Sequence, residues 1–175
     1  MALGQSRFIL QVVGYQDSGK TTLVEKLIGR LKEQGVSTAV IKHHGHGGSP
    51  DSEITAKDSL RHFNAGAIAA GVAGAGVLRL SVNVAEWSLE KLIQLYDFFA
   101  VDLLLIEGYK QEDYPKIVCI RHEEELHLLT KLTRVLCVIT HVPIPQEHFP
   151  NLRCFQVEEE QRYMDYLLNK VVRKE

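Results

Sequence analysis

The chain is short of cysteine, of long apolar runs and of net charge, and each shortage removes a class of protein. Its three cysteines, Cys119, Cys137 and Cys154, lie far apart with no C-x-x-C pair. That excludes a disulfide framework and a metal knuckle, and predicts reduced thiols in a core. No stretch approaches the ~18 apolar residues of a membrane-spanning helix. Residues 1–7 lack the charged, apolar and small-residue zones of a secretory signal, so the expectation is a cytoplasmic protein with no membrane partner. Twenty Lys and Arg against 22 Asp and Glu leave a formal charge of −2. Composition therefore offers nothing for nucleic acid to bind, and any anion site must be local. Internal repeats, linkers and low-complexity tracts are also missing, and 175 residues suit one core, so residues 1–175 are expected to form a single domain.

What is present begins with Gly14-Tyr15-Gln16-Asp17-Ser18-Gly19-Lys20-Thr21-Thr22, which fits the phosphate-binding loop pattern G-x-x-x-x-G-K-[ST]. The spacing has a physical cause. Glycines let the backbone curl until successive N–H groups point inward at a phosphate, and the helix that follows adds the positive end of its dipole. Gly14, Gln16, Asp17, Ser18, Gly19, Lys20, Thr21 and Thr22 are the candidate phosphate contacts. Lys20 is expected to reach the β- and γ-phosphates, and the Thr21 hydroxyl to ligate Mg²⁺. The flanks agree: residues 7–13 form a nearly continuous apolar run suited to a buried parallel strand, and Leu23, Val24, Leu27, Ile28 and Leu31 recur at helical spacing until Gly35. The predicted fold is α/β, a three-layer P-loop NTPase architecture with a mostly parallel central sheet and an added β-hairpin.

Residues 36–42 read as the second strand, and the polar loop 43–53 leaves it at the edge where open α/β sheets bind ligands. A short helix is expected near residues 55–64. Residues 65–84 are rich in Gly, Ala and Val, with strand-like runs at 67–73 and 77–82 around Gly74-Ala75-Gly76, which predicts a hairpin inserted into the βα repeat. Its weakly alternating strands are poorly protected edges that either pack under a helix or pair with another chain. Ser88 can cap a helix with Leu89, Leu92, Ile93, Tyr96 and Phe99 on one face. Residues 101–108, 116–120 and 135–140 are further strands, and a last helix covers about residues 158–173 with basic residues at its end.

Glu107 ends an apolar strand and is followed by Gly108, the position from which a carboxylate beside the loop's own strand contacts Mg²⁺ directly or through water. With Lys20 it forms the candidate catalytic pair, and Asp51 is a further candidate metal ligand. Lys42, His43, His44, His46, Lys57 and Asp58 form a candidate substrate or phosphate-contacting set. Imidazoles suit zinc or nickel, but adjacent histidines in a Gly-rich loop lack helical metal-site spacing, so metal, phosphate contact and a solvated loop all stay open. Guanine-specific GTPases carry [NT]-K-x-D after a late strand. Here that place reads Thr140-His141-Val142-Pro143, so Thr140 and Pro143 are the base-contact candidates and base identity is open. No water-positioning Gln or in-chain arginine finger is evident, which predicts slow phosphoryl transfer.

Taken together, these residues resemble the molybdopterin-guanine dinucleotide biosynthesis protein B (MobB) family. The resemblance rests on residues 14–22, Ile41-Lys42-His43-His44 with the His-Gly-rich loop after it, Lys57-Asp58-Ser59 followed by Ala65-Gly66-Ala67, Leu105-Ile106-Glu107-Gly108-Tyr109-Lys110, and Pro115-Lys116-Ile117. It implies a GTP- and Mg²⁺-dependent adaptor with weak GTPase activity that assists the molybdopterin guanylyltransferase, which attaches GMP to molybdenum cofactor. It also implies a homodimer associating through extra strands, for which residues 65–84 are the candidate. The loop 45–55 departs from the Asp-x-Pro-Gly spacing of many relatives. Two other readings share the scaffold: an ATP-dependent small-molecule kinase or ligase of the dethiobiotin synthetase type, and a metal-delivery GTPase using the histidines.

Overall fold

The computed structural model describes residues 7–44 and 57–173. They divide into two compact units, one of residues 7–43 and 93–173 and the other of residues 44 and 57–92. In chain order the elements are β1 (Phe8–Gly14), α1 (Lys20–Glu33), β2 (Thr38–Lys42), α2 (Lys57–Asn64), β3 (Ala69–Gly74), β4 (Val77–Val82), α3 (Leu89–Tyr96), β5 (Leu103–Glu107), β6 (Lys116–Ile120), β7 (Val135–Thr140), β8 (Cys154–Gln156) and α4 (Glu160–Arg173).

The first unit is built on one six-stranded sheet of order β2-β5-β1-β6-β7-β8. Every neighbouring pair is parallel, in keeping with the mostly parallel central sheet expected. The inner strands β5 and β6 are buried on both faces, which explains runs such as Leu103-Leu104-Leu105-Ile106 that show no alternation. Leu10, Val12, Leu103 and Leu105 pack with Leu23, Leu27 and Leu31 of α1 and Met164, Leu167 and Val171 of α4. Val13, Val118, Ile120 and Val138 pack with Leu128 and Leu129 of a 3₁₀ segment, Glu123–Thr130. Strand β1 lies between β5 and β6, so chain connections diverge at its carboxyl end. In an open α/β sheet such a divergence opens a crevice for ligand.

The last helix begins at Glu160, with Lys170 and Arg173 in its final turn. The expected stripe from Leu89 to Phe99 is cut short, because α3 ends at Tyr96 and passes into a 3₁₀ turn, Asp97–Phe99, closed by Ala100 at φ 48°. Three residues per turn rotate Phe99 off the stripe and leave it 54% exposed. Tyr96 stays inward, its hydroxyl donating to the Val40 carbonyl at 2.9 Å.

In the second unit, β3 and β4 form the antiparallel hairpin expected from residues 65–84, with Gly74 opposite Val77. Ala75 and Gly76 both have positive φ, 47° and 77°, as a two-residue type I′ connection requires.

Candidate functional site

The loop from Gly14 to Thr21 joins the end of β1 to the start of α1, and close packing dictates its glycines. A Cβ on Gly14 would lie 2.5 Å from the Cys119 carbonyl oxygen and 2.5 Å from Ser18 Oγ, so only a hydrogen fits. Gly19 caps α1 in the left-handed region at φ 85° and offers no side-chain cap. Helix α1 carries no acid in its first turn, while Arg30 and Lys32 sit in its last. Its amino end is thus left positive and open, the arrangement that receives an anion. Ser18 Oγ donates to the Tyr15 carbonyl at 2.8 Å. The Lys20 ammonium donates to the same carbonyl and, at 3.3 Å, to Ser18 Oγ. Partial burial lowers the Lys20 pKa below the ordinary lysine value, while the Glu107 carboxylate acts in the opposite sense.

Glu107 closes β5 beside this loop. It is 6% exposed, and its Oε1 accepts from the Thr21 hydroxyl at 2.9 Å. Lys42, its register partner on β2, brings Nζ to 3.3 Å from the same oxygen and 3.2 Å from Thr21 Oγ1. Three candidate residues from β2, α1 and β5 therefore meet at one point. Gly108 has φ 101°, and a Cβ there would lie 2.8 Å from His43 Cβ. The missing side chain lets His43 lie against Tyr109, with ring centroids 4.4 Å apart. Gln11 fixes the segment after Glu107, its fully buried amide donating to the carbonyls of Gly108 at 3.2 Å and Tyr109 at 2.8 Å. Lys110 lies over the Tyr15 ring, 4.3 Å from its centroid.

Among the described residues, two clefts border the loop. One, of about 410 Å³, is lined by Asp17, Gly19, Lys20, Thr21, Thr22 and Arg121. The other, of about 290 Å³, shares Asp17, Gly19, Thr22 and Arg121 with it and continues past Lys26 to Ile139, His141, Val157 and Tyr163. The ends of β7 and β8 therefore supply the far wall of the second cleft. Arg121, just beyond β6, was not singled out in the sequence. Its signal was position: it follows the expected strand 116–120, at the carboxyl edge where ligands bind.

A family model described as MobB, molybdopterin guanine dinucleotide synthesis protein B, matches residues 9–141. The chain belongs to the MobB family. It is 43% identical over 148 residues to a probable molybdopterin-guanine dinucleotide biosynthesis adapter protein of Bacillus subtilis, covering 85% of each chain. To the adapter protein of that name from Haemophilus influenzae it is 38% identical over 137 residues, covering 78% of this chain and 76% of the relative. The crystal structure of Bacillus subtilis MobB superposes with a TM-score of 0.77 at 39% identity, covering 93% of this chain and 96% of that one.

Within this MobB-family chain, the structure brings Gly14, Ser18, Gly19, Lys20, Thr21, Thr22, Lys42, His43 and Glu107 into the first unit around one loop. Asp17 turns at φ 58° and presents its carbonyl to Arg121, and Gln16 is exposed beside it. Thr140 is fully buried and its hydroxyl is spent locally, donating to the Val142 carbonyl at 2.7 Å and accepting from the Val142 N–H at 3.0 Å. Neither Thr140 nor Pro143 lines the clefts, and the adjacent His141 does. His44 belongs to the second unit, as do Lys57, the first residue of α2, and Asp58, which faces Arg61 at 3.8 Å. His46 and Asp51 lie outside the described residues. Among the described residues no three His, Cys, Asp or Glu side chains gather as a metal cluster, and no helix is long and apolar enough to cross a membrane.

Proposed function

We propose that this chain is a GTP-binding adaptor with weak GTPase activity that works in the cytoplasm, assisting a molybdopterin guanylyltransferase as GMP is attached to molybdopterin. The observation that carries the reading is the convergence of Lys20, Thr21 and Glu107 at the open amino end of α1 in a chain of the MobB family. Lys20 and the loop N–H groups hold the β- and γ-phosphates, a task suited to a cation beside a free helix terminus. The Thr21 hydroxyl and Glu107 carboxylate, 2.9 Å apart, are the hard oxygen donors that suit Mg²⁺, and Lys42 balances the carboxylate's charge. When bound, Mg²⁺ supplies charge neutralisation at the phosphates. The 290 Å³ cleft takes the base and ribose, with His141 and Tyr163 on its wall.

In this reading residues 1–175 act as one nucleotide-binding domain in which residues 65–84 are an insertion. The hairpin exposes Val72, Val77, Leu78 and Leu80 at 42–62%, more apolar surface than an isolated hairpin keeps dry, and a second copy of the chain covers it in a homodimer. The test is size-exclusion chromatography of the purified protein with the guanylyltransferase, with GTP or ATP and Mg²⁺. A complex that forms with GTP supports the adaptor. Complex formation that ignores nucleotide contradicts it, and binding of ATP in preference to GTP turns the reading to the kinase or ligase class.

A further inference from the structure

Arg121 leaves β6 at a turn built to hold it. The Glu125 carboxylate, 6% exposed, accepts the Arg121 backbone N–H at 2.8 Å, and the Glu125 N–H donates back to the His122 carbonyl at 3.1 Å. A buried carboxylate tied to the turn fixes where the side chain starts. The guanidinium then reaches the phosphate loop, where Nη1 donates to the Asp17 carbonyl at 2.6 Å. A guanidinium has five N–H donors, and this is the one side-chain hydrogen bond Arg121 makes among the described residues. The others stay available in a cleft whose remaining walls are the loop and the first turn of α1.

Arg121 borders both clefts, whereas Lys20 and Thr21 border only the first. A nucleotide with its terminal phosphates at Lys20 and its base against His141 must pass Arg121 between the two. We infer that Arg121 is a second phosphate-binding cation that grips the phosphate nearest the ribose, an inference that rests on the nucleotide reading above. The chemistry suits the place, because a planar guanidinium pairs with phosphate oxygens through parallel N–H bonds that an ammonium cannot match. A group acting there contacts atoms common to nucleoside di- and triphosphates and to either purine.

The test is calorimetric titration of the full chain, as wild type, Arg121→Gln and Arg121→Lys, with GDP and with non-hydrolysable GTP and ATP analogues in Mg²⁺. The melting temperature of each nucleotide-free protein is measured alongside. Arg121→Gln is expected to weaken all ligands that bind by the same factor, about tenfold. Arg121→Lys recovers part of the loss, and the melting temperatures match. Wild-type affinity in Arg121→Gln overturns the inference, as does a loss confined to GTP. A loss that tracks a lowered melting temperature and is not relieved by lysine assigns Arg121 to loop support and also overturns it. If the wild type binds no nucleotide, the nucleotide reading itself fails and takes this inference with it.

Discussion

Lys42 and Glu107 end neighbouring parallel strands as register partners, with Lys42 Nζ 3.3 Å from Glu107 Oε1. The Thr21 hydroxyl donates to that same oxygen, so the carboxylate serves the phosphate loop and β2 at once. Glu107→Gln keeps the shape and removes the charge. The Lys42 side chain is 60% exposed, so the lost ion pair costs stability no more than about 1 kcal/mol. The Mg²⁺ concentration needed for half-maximal nucleotide binding should rise by about tenfold or more. Titration at stepped Mg²⁺ checks this, and an unchanged midpoint removes Glu107 from the metal site.

Gly14→Ala tests packing instead of charge. The added methyl meets the Cys119 carbonyl at 2.5 Å, and backbone cannot move aside as a flexible side chain can. Denaturant unfolding should show a loss of about 1–3 kcal/mol, with phosphate-loop binding lost alongside. A variant as stable as the wild type would mean that the loop is looser than the Gly14 to Cys119 contact implies.

The thiols give a pH prediction. Burial pushes the Cys119 thiol up to about 12 and raises Cys137 further, against about 8.5 in an unfolded chain. At pH 8 neither should react with a thiol reagent in the folded protein, and both should react once it is unfolded. The folded state keeps these protons longer than the unfolded state. Their stabilising contribution is therefore complete below pH 8.5 and falls as pH rises toward 12. Rapid labelling of Cys119 at pH 8 would show that the β6 end of the core opens.

How far the sequence disclosed this arrangement depends on whether the determinant is local. The phosphate loop was legible because its glycine spacing is itself the geometry, and the hairpin because its small residues and its turn are adjacent in the chain. The pairing of Lys42 with Glu107 was not, since it arises from the β2–β5 register between residues far apart in sequence. Gln11 was not singled out within its apolar run, and its partners, Gly108 and Tyr109, lie 97 and 98 residues away. Strand β8 is three residues long, too short for any period to show. Thr140 was a base-contact candidate by position; its hydroxyl bonds the nearest backbone, as a hydroxyl beside a turn does, and the adjacent His141 lines the cleft.

The hairpin prediction concerns assembly. Leu78 and Leu80 are 62% and 51% exposed. Replacing both with Glu should change a dimer into a monomer by light scattering without altering nucleotide affinity. A double variant that stays dimeric would place the interface elsewhere.

The most direct test of the central claim is calorimetric titration of a non-hydrolysable GTP analogue in Mg²⁺ into the wild type and Lys20→Ala. The Lys20 ammonium is half-buried at the cleft beside the loop, and its loss leaves the phosphates without their main side-chain counter-charge. The account predicts stoichiometric binding to the wild type and loss of about a hundredfold or more in the variant. Full affinity in Lys20→Ala would contradict it.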